Sequence, residues 1–336
     1  MVSIWAAKLR AEEELLPEQG IAGISIAPNG RIRVYVESPD VKVPRTYASY
    51  RVEKVVVGRI ETLVLKQPIE AAIGYIYGQE VPKTARVRPI VGGVSIGNFK
   101  ITAGTFTSRV FDALTGEKLI LSNSHVLGGD AIKGSSVGDE ILQPGAYDSG
   151  KSPDDVVGHL LRWAPIRPPP AKNLVDAALA RPVSPDIVAD EVLDLGVITD
   201  IEEAREGLKI QKSGRTTCSS TAVITDVNAT VKVYGYPWGY AIFEDQVICS
   251  KLGEPGDSGS CVISVDSKKA VGLLFAGSDV ITVLNKMTNV CNQLGISFSP
   301  PGAVDMSYWA SLAIACAPVI VSAVIPVYNE FTRWRP

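Results

Sequence analysis

The strongest chemical signal in the sequence surrounds Ser258, which lies in the segment GEPGDSGSCVIS. Glycines bracket this serine and a β-branched run follows it, so the segment predicts a tight turn that leads into a strand. Gly256 would let the backbone bend until the amides of Gly256 and Ser258 point at one place. Two converging N–H groups stabilise an oxyanion, so the turn suits acyl transfer with Ser258 as nucleophile. Taken by itself, the same string also fits an ordinary polar turn between strands.

A serine nucleophile needs a base and a group that orients the base, and the sequence offers few candidates. His125 and His159 are its two histidines. His125 follows the apolar run KLILSNS and precedes two glycines, which predicts a position at the rim of a strand-built domain. His159 lies inside VVGHLLRW, which favours a buried structural role. Asp176 is a lone acid in the apolar strand NLVDAALARPV, where a buried carboxylate needs a partner such as a histidine N–H.

The elements that must position these side chains are mostly short strands. From Gly92 onward, β-rich runs are separated by Gly, Pro, Asn and Asp, and a second group of such runs begins near Lys209. Two β-rich halves, at about residues 89–190 and 205–302, predict paired barrels or sandwiches rather than alternating βαβ units. The proline-rich segment WAPIRPPPAKN is expected to form an extended surface loop before the strand that carries Asp176.

Residues 1–88 are predicted to form a small α+β domain. The first residues are typical of an amphipathic helix that ends near Pro17 and Gly20. The runs IAGISI and RIRVYVE follow, and Asn29-Gly30 between them suits a tight hairpin. A further strand is expected in YRVEKVVVGRIETLV.

Composition argues against several classes of protein. Because 33 Lys and Arg stand against 36 Asp and Glu, there is no basic excess and we expect no nucleic acid partner. The five cysteines have no CxxC spacing, and two histidines add little to them, so we expect no metal site. Hydrolysis through an acyl-enzyme on serine also needs no organic cofactor. The acidic N-terminus lacks the apolar run of a secretory signal, which favours a cytoplasmic or virion-associated protein over a secreted one. The oligomeric state stays open.

Residues 303–336 are predicted to be an apolar C-terminal extension. Within it, residues 306–329 carry no charge and are long enough to cross a bilayer. Pro318 and Pro326 weaken such a helix, and packing on the β domains or on another subunit would bury the segment equally well. Membrane attachment and packing therefore both stay open as predictions.

In their order along the chain, His125 in LSNSHV, Asp176 in VDAALA and Ser258 in GDSGS resemble the trypsin-like serine peptidases. The strings GGVSIGN, ILQPGAYDSG, QKSGRTT and GLLFAGS resemble a microbial branch of that family that carries a small N-terminal domain. The resemblance covers about residues 20–300. It implies a mainly β fold, a chymotrypsin-like double β-barrel at residues 89–302. It also implies Ser258 as nucleophile, His125 as general acid and base, and Asp176 as the group that orients the histidine.

The same resemblance assigns the oxyanion hole to the amides of Gly256 and Ser258, and the support of their turn to Asp257. The sequence departs from the family in KSGRTTCSS, where Cys218 stands in place of an expected glycine, which affects local packing more than chemistry. The string RPIVGG imitates a zymogen activation site, in which a freed isoleucine amine pairs with Asp257. The Arg88–Pro89 bond is a poor cleavage site, because proline follows the arginine. We therefore expect an ordinary first strand and activity without processing.

A specificity pocket is also implied by the resemblance. Its floor lies six residues before the nucleophile in this family, which is Leu252 here, and Phe275, Ala276 and Gly277 would form the opposite wall. Because these positions include no acid, a substrate Lys or Arg would be buried there without a partner. We therefore expect a preference for small or medium apolar side chains before the scissile bond.

Together these signals predict a serine endopeptidase that acts on peptides or proteins through an acyl-enzyme. One alternative is a catalytically silent binding or assembly protein that kept the barrels. Another is a narrow self-processing enzyme whose only substrate is its own N-terminal domain or apolar tail. The intact set of three residues favours the enzyme over the silent protein. Fragments that form in wild-type protein but not in a serine variant would identify self-processing.

Overall fold

The computed structural model describes residues 2–65 and 73–301, and the chain in these ranges is mainly β. The strands of the N-terminal segment are β1 (Ile21–Ile26), β2 (Ile32–Val36), β3 (Thr46–Tyr47), β4 (Tyr50–Val56), β5 (Glu61–Thr62), β6 (Ile73–Ile76) and β7 (Gln79–Pro82). Those of the next part are β8 (Ile90–Gly92), β9 (Ser95–Asn98), β10 (Gly104–Thr105), β11 (Ser108–Asp112), β12 (Lys118–Ser122), β13 (Glu140–Leu142), β14 (Val156–Trp163), β15 (Lys172–Asn173), β16 (Ala178–Pro182), β17 (Val188–Val192) and β18 (Gly196–Val197). The last group is β19 (Lys209–Gly214), β20 (Cys218–Tyr236), β21 (Gly239–Ser250), β22 (Cys261–Ser264), β23 (Ala270–Gly277), β24 (Ile281–Lys286) and β25 (Ile296–Ser297).

Helices are short and few in the described ranges. They are α1 (Ile4–Glu14), α2 (Ser124–Leu127), α3 (Met287–Leu294) and two 3-10 turns at Ala146–Asp148 and Pro185–Ile187. α1 begins where Ser3 Oγ accepts a hydrogen bond from the amide of Ala6 at 3.2 Å. The predicted N-terminal helix is therefore confirmed, and it ends three residues before Pro17.

The N-terminal barrel is built on an eight-stranded sheet in the order β10-β9-β13-β14-β16-β12-β11-β25. β10 and β11 lie near opposite ends of this order, yet only Phe106 and Thr107 separate them in the chain. The amide of Phe106 donates to Val94 O at 2.8 Å, and that of Thr107 donates to Leu121 O at 3.1 Å. These two bonds link both ends of the sheet and close it into a barrel.

The C-terminal barrel contains β21, β24, β23, β22, β19 and β20, which follow one another in a second sheet. An additional pairing of β20 with β21 closes these six strands into a ring. The ladder between β20 and β21 has several register shifts, which let two long strands bend around the barrel. The double β-barrel expected from the sequence is therefore confirmed.

Strands of the N-terminal segment join the sheet of the C-terminal barrel. β1 pairs with β20 at Gly23 and Ile24, and β2 and β4 continue the sheet outward. The predicted hairpin is confirmed, because β1 and β2 pair antiparallel and Gly30 between them has φ +72°. β5 pairs with both β20 and β23. The domain boundary at residue 88 stays a prediction, although strands from both sides of it share this sheet.

Helix α1 is attached to the sheet through the buried carboxylate of Glu12. This carboxylate contacts the ammonium groups of Lys8 on the same helix and of Lys172 on β15. It also accepts a hydrogen bond from Thr230 Oγ1 on β20 at 2.7 Å. Burial raises the pKa of Glu12, but the charge of Lys8 and the three hydrogen bonds lower it below its ordinary value. The carboxylate therefore stays charged and connects α1 to two strands of the barrel sheet.

The proline-rich segment is only partly a surface loop, because Ala164 and Ile166 are buried and the amide of Ile166 donates to Asp130 Oδ2 at 3.0 Å. The apolar extension at residues 303–336, with its candidate span at 306–329, lies outside the described residues. Within the described residues, no helix combines the length and the apolar character needed to cross a membrane.

We expect Glu12→Ala to lower the free energy of unfolding by about 3 kcal/mol, because it leaves the buried ammonium group of Lys8 without its carboxylate. Glu13→Ala is the matched control at the exposed neighbouring position of α1, and should change this free energy by less than about 0.5 kcal/mol. Urea unfolding followed by tryptophan fluorescence measures both. Equal effects of the two substitutions would show that the buried contacts of Glu12 do not stabilise the protein.

Candidate active site

His125 lies just after β12, in the single helical turn α2, which ends at Gly128 with φ +136°. Its side chain is buried, with 5% of the residue exposed. Nδ1 of His125 lies 2.7 Å from Asp176 Oδ2, and the backbone amide of His125 donates to Asp176 Oδ1 at 3.2 Å. Because an ionised carboxylate only accepts hydrogen bonds, this contact assigns the ring proton to Nδ1. Nε2 is then left as a proton acceptor.

Asp176 lies in the connection between β15 and β16, so its predicted place within a strand is wrong. Its amide donates to Asn285 Oδ1 at 2.9 Å instead of to a neighbouring strand, and Asn123 Nδ2 donates to its carbonyl at 2.7 Å. Asn285 is itself held by Gln246, through a bond from Nδ2 to Oε1 of 2.7 Å. Side chains thus take the place of ladder partners, which satisfies the buried backbone and directs the carboxylate at His125.

Tyr236, the last residue of β20, donates its hydroxyl to Asp176 Oδ2 at 2.6 Å. Burial raises the pKa of Asp176, but the facing His125 and the hydrogen bonds from His125 and Tyr236 lower it below its ordinary value. Burial and the same carboxylate raise the pKa of Tyr236 well above its ordinary value, so the phenol stays a donor. The sequence analysis did not identify Tyr236, because its local run KVYGY is typical of any strand.

Ser258 lies in the predicted turn between β21 and β22, where Gly256 has φ +96°. Asp257 between them is fully buried. Its carboxylate accepts hydrogen bonds from the amides of Thr216 at 2.9 Å and Thr217 at 3.1 Å, and from the Thr217 hydroxyl at 2.6 Å. These bonds tie the turn to the connection between β19 and β20.

Lys212 on β19 supplies the positive charge that faces Asp257. Its Nζ lies 3.0 Å from Asp257 Oδ2, and both side chains are fully buried. Burial raises the pKa of Asp257, but the charge of Lys212 and the hydrogen bonds around the carboxylate lower it below its ordinary value. Ile90, which a zymogen would use here, is instead buried in β8 and pairs with Val188 of β17. The turn therefore has a counter-charge that does not depend on cleavage at residue 88.

No hydrogen bond joins the hydroxyl of Ser258 to the ring of His125 in the described structure. Ser258 Oγ donates to Phe275 O at 3.2 Å, while His125 Nε2 is buried without a partner among the described residues. The two segments meet at Gly104, where a Cβ atom would lie 2.5 Å from Val126 Cγ2 and 3.0 Å from Ser258 O. Glycine at this position lets the two segments pack closely. Catalytic hydrogen bonds are often completed only when substrate binds.

The amide of Gly256, one of the two predicted oxyanion donors, donates to Leu63 O at 2.7 Å. The amide of Ser258 has no acceptor among the described residues. Leu63 follows β5 directly, and its own amide donates to Phe275 O at 3.4 Å. The carbonyl of Phe275 therefore accepts from both Leu63 and the Ser258 hydroxyl, and a backbone carbonyl lies at the predicted oxyanion hole.

The predicted specificity residues surround Leu63. Phe275, Ala276 and Gly277 belong to β23, and Leu63 Cδ1 lies 3.7 Å from the position of a Cβ atom on Gly277. Leu252 belongs to the same buried apolar cluster as Leu63. The ring of Phe275 packs in a different cluster, so its backbone rather than its ring contacts this segment. Leu63 therefore lies against β23 at Gly277, and Leu252 lies in the same apolar cluster.

His159 is exposed on β14, so the predicted burial of this residue is wrong. Side chains alternate along a strand, and the neighbouring Gly158 and Leu160 are buried while His159 faces outward. It pairs across the sheet with Glu140 and Arg181. His159 takes no part in the contacts around Ser258.

Cys218 has φ +52°, a conformation that favours glycine, which agrees with the glycine expected at this position. Its Sγ contacts Ile73 O at 2.8 Å. The cysteines in the described ranges are unpaired, and no group of His, Cys, Asp and Glu there could hold a metal ion. Burial raises the pKa of Cys291 to about 12, so this thiol is not a reactive nucleophile at neutral pH.

No protein-family model and no curated protein matches the sequence. Solved structures of chymotrypsin-like serine proteases from bacteria do match. Protease A of Thermobifida fusca is 19% identical, with a TM-score of 0.46 over 63% of this chain and 98% of that chain. A Nocardiopsis protease is 20% identical, with a TM-score of 0.44 over 62% of this chain and 97% of its own. A Cellulomonas bogoriensis chymotrypsin is 17% identical, with a TM-score of 0.44 over 63% of this chain and 98% of its own.

Lys212→Met should lower the free energy of unfolding by about 3–5 kcal/mol, because it leaves the buried carboxylate of Asp257 without a counter-charge. Lys209→Met, at an exposed position of the same strand, is the matched control and should be nearly neutral. Thermal unfolding at several pH values measures the difference. The difference in stability between the wild type and Lys212→Met should shrink as the pH falls through and below the ordinary pKa of aspartate, because a protonated Asp257 needs no counter-charge. A difference that does not change with pH would contradict this role of Lys212.

Tyr236→Phe should preserve the fold and lower the free energy of unfolding by about 1–3 kcal/mol, because the buried carboxylate of Asp176 loses one donor. The remaining bond from His125 Nδ1 should change in strength, so the Nδ1 proton resonance should shift in the NMR spectrum. Tyr240→Phe is the control. Tyr240 lies at the start of β21, just after the turn that follows Tyr236, and its substitution should leave that resonance in place. An unchanged resonance in the Tyr236 variant would mean that the phenol does not affect the His125–Asp176 contact.

Proposed function

We propose that the chain is a serine endopeptidase that cleaves peptide bonds through an acyl-enzyme on Ser258. The observation that carries this proposal is the buried contact of His125 Nδ1 with Asp176 Oδ2 at 2.7 Å. An imidazole held in this tautomer offers its Nε2 lone pair to a proton. Among the described residues this nitrogen has no other hydrogen-bond partner, so it is available to a serine hydroxyl.

The proposed reaction begins when Ser258 Oγ attacks the carbonyl carbon of the substrate and His125 Nε2 takes the hydroxyl proton. For this step Oγ leaves Phe275 O, to which it donates in the unreacted site. The positive charge that forms on His125 is opposed by Asp176, which stays ionised because its pKa is low. His125 then gives the proton to the leaving amine, and a water molecule repeats the sequence to release the acyl group.

The amides of Gly256 and Ser258 are proposed to stabilise the negative oxygen of the tetrahedral intermediate. The bond of 2.7 Å from the Gly256 amide to Leu63 O supports this assignment, because it places a carbonyl oxygen where the oxyanion would form. One such donor typically contributes about 3 kcal/mol to transition-state stabilisation. The Asp257–Lys212 pair fixes the backbone between the two amides, so it positions the donors without touching the substrate.

The surroundings of Leu63 support an apolar substrate preference. This side chain is 5% exposed and shares a buried apolar cluster with Leu252 and Leu274. A Lys or Arg side chain buried among these leucines would lose its hydration, which is costly for a charged group. We therefore propose polypeptides as the substrate class, with an apolar residue before the scissile bond.

A fluorophosphonate probe should label Ser258, because the proposed base and oxyanion donors activate this serine. Ser258→Ala and His125→Ala should abolish labelling. His159→Ala is the matched histidine control and should label like the wild type, since its side chain lies on the outer face of β14. Asp176→Asn should slow turnover by a factor of about 10⁴, because the histidine takes the wrong tautomer.

Intact mass and peptide mapping identify the labelled residue in these proteins. A folded wild-type protein that neither reacts with the probe nor cleaves an unfolded protein at neutral pH would contradict the proposed activity. That result would favour a catalytically silent binding protein.

A further inference from the structure

The short strand β5 lies in the groove where an extended substrate would bind. Thr62 pairs with Ala276, and Glu61 pairs with Gly277, in antiparallel register with β23. On its other side, the amide of Tyr234 on β20 donates to Ile60 O at 3.0 Å. The chain before Leu63 is therefore held by backbone bonds on both sides, as an additional strand between β20 and β23.

Leu63 continues this strand into the site. Its amide donates to Phe275 O at 3.4 Å, and its carbonyl accepts from the Gly256 amide at 2.7 Å. Ser258 Oγ lies 3.2 Å from the same Phe275 oxygen. The backbone of Leu63 is thus bound by one of the oxyanion donors and by a carbonyl that the nucleophile also contacts.

The side chain of Leu63 lies among residues predicted to form the specificity pocket. It is 5% exposed, lies against Gly277, and shares a buried cluster with Leu252. Beyond the carbonyl, Leu65 packs against the turn of the nucleophile, with Cδ2 lying 3.0 Å from the position of a Cβ atom on Gly256. Residues on both sides of the Leu63–Val64 bond are therefore seated, with the carbonyl of that bond at the oxyanion hole.

We propose that the Leu63–Val64 peptide bond of this chain is a substrate of its own active site and is cleaved intramolecularly. This proposal rests on the proposed peptidase function, and it names the bond, the residue in the specificity pocket and the direction of the strand. An apolar residue before the scissile bond agrees with the pocket. Val64 is half-buried, and its amide makes no hydrogen bond within the described residues.

The step balances without any group other than water. Ser258 Oγ attacks the carbonyl carbon of Leu63 and its proton moves to His125 Nε2, while the carbonyl oxygen becomes the oxyanion at the Gly256 amide. The bond to the Val64 nitrogen breaks, and His125 gives its proton to that nitrogen, which becomes a new N-terminal amine. Water then hydrolyses the ester between Leu63 and Ser258, which yields a carboxylate on Leu63 and restores the hydroxyl.

The first experiment follows purified full-length protein by intact mass and N-terminal sequencing under denaturing conditions. The wild type should yield one fragment that ends at Leu63 and one that begins at Val64, and Ser258→Ala should stay intact. Denaturing conditions are needed, because the strands β1, β2 and β4 would keep the first fragment in the sheet after cleavage. A new N-terminus at any other residue, with none at Val64, would overturn the proposal.

Variants of the segment test the pocket and the bond separately. Leu63→Met should be cleaved like the wild type, whereas Leu63→Asp should be cleaved at least about tenfold more slowly, because it puts a charge in an apolar pocket. Val64→Pro should not be cleaved, since the proline ring puts a carbon in place of the amide hydrogen and restricts the backbone at the scissile bond. Leu114→Asp carries the same change as Leu63→Asp at a residue that is 92% exposed, and should be cleaved like the wild type. Equal cleavage of all four proteins would overturn the proposal.

Two further measurements separate this proposal from the proposed function. Wild-type protein that labels with the fluorophosphonate and cleaves an added unfolded protein, but keeps Leu63–Val64 intact, overturns the self-cleavage and leaves the peptidase standing. Folded protein that does not label, does not cleave the added protein and does not cleave its own Leu63–Val64 bond overturns both. The intramolecular route is tested by kinetics and by mixing. The rate of cleavage should be first order and independent of protein concentration. Mass-tagged Ser258→Ala protein mixed with the wild type should stay uncut. Cleavage of that tagged protein at the wild-type rate would overturn the intramolecular route.

Discussion

The arrangement of this site depends on burying the carboxylate of Asp176 between the two barrels. A fully buried carboxylate is costly unless donors surround it, and here they come from both halves of the chain. His125 reaches it from the N-terminal barrel, and Tyr236 reaches it from β20 of the C-terminal barrel. The backbone of Asp176 is held in the same way, by Asn123 from one side and Asn285 from the other. Satisfying one charge therefore sets the relation between the barrels and, at the same time, the tautomer of the histidine.

Asp257 is a second buried carboxylate that must be surrounded by donors or a counter-charge. Asp257 lies inside the turn that presents Ser258, and every polar contact that satisfies it also fixes part of that turn. Lys212 belongs to a barrel strand, so the barrel itself supplies the counter-charge of Asp257, and no new N-terminal amine is needed to pair with this carboxylate. A turn stabilised in this way keeps the amides of Gly256 and Ser258 in place before any substrate arrives. Cleavage after Leu63 would therefore not be needed to build the proposed oxyanion hole.

The features that local sequence predicts well are those set by neighbouring residues, such as the glycine turn at Ser258 and the hairpin at Gly30. Predictions of secondary structure and burial are wrong where contacts with distant residues or the facing of a strand decide them. Asp176 leaves the strand that its apolar run predicts, because its amide is bound by Asn285, more than a hundred residues later. His159 sits in an apolar run and yet faces outward, because strand alternation and not average hydropathy sets its burial. Residues that act through long-range contacts left no local signal, and these are Tyr236, Lys212 and Leu63.

Because β5 belongs to the same chain as the site, its binding there differs from the binding of a free peptide in its effective concentration. The segment is tethered through β1, β2 and β4, so its effective concentration at the site is on the order of millimolar even if each contact is weak. Cutting after Leu63 would break the covalent link to Val64 and would leave the pairing of β5 with β20 and β23 intact. The new carboxylate would then lie at the amide of Gly256, where a charged acceptor binds more strongly than the neutral carbonyl it replaces. Access for any other polypeptide would therefore be governed by how readily β5 leaves the sheet, and cleavage alone would not open the site.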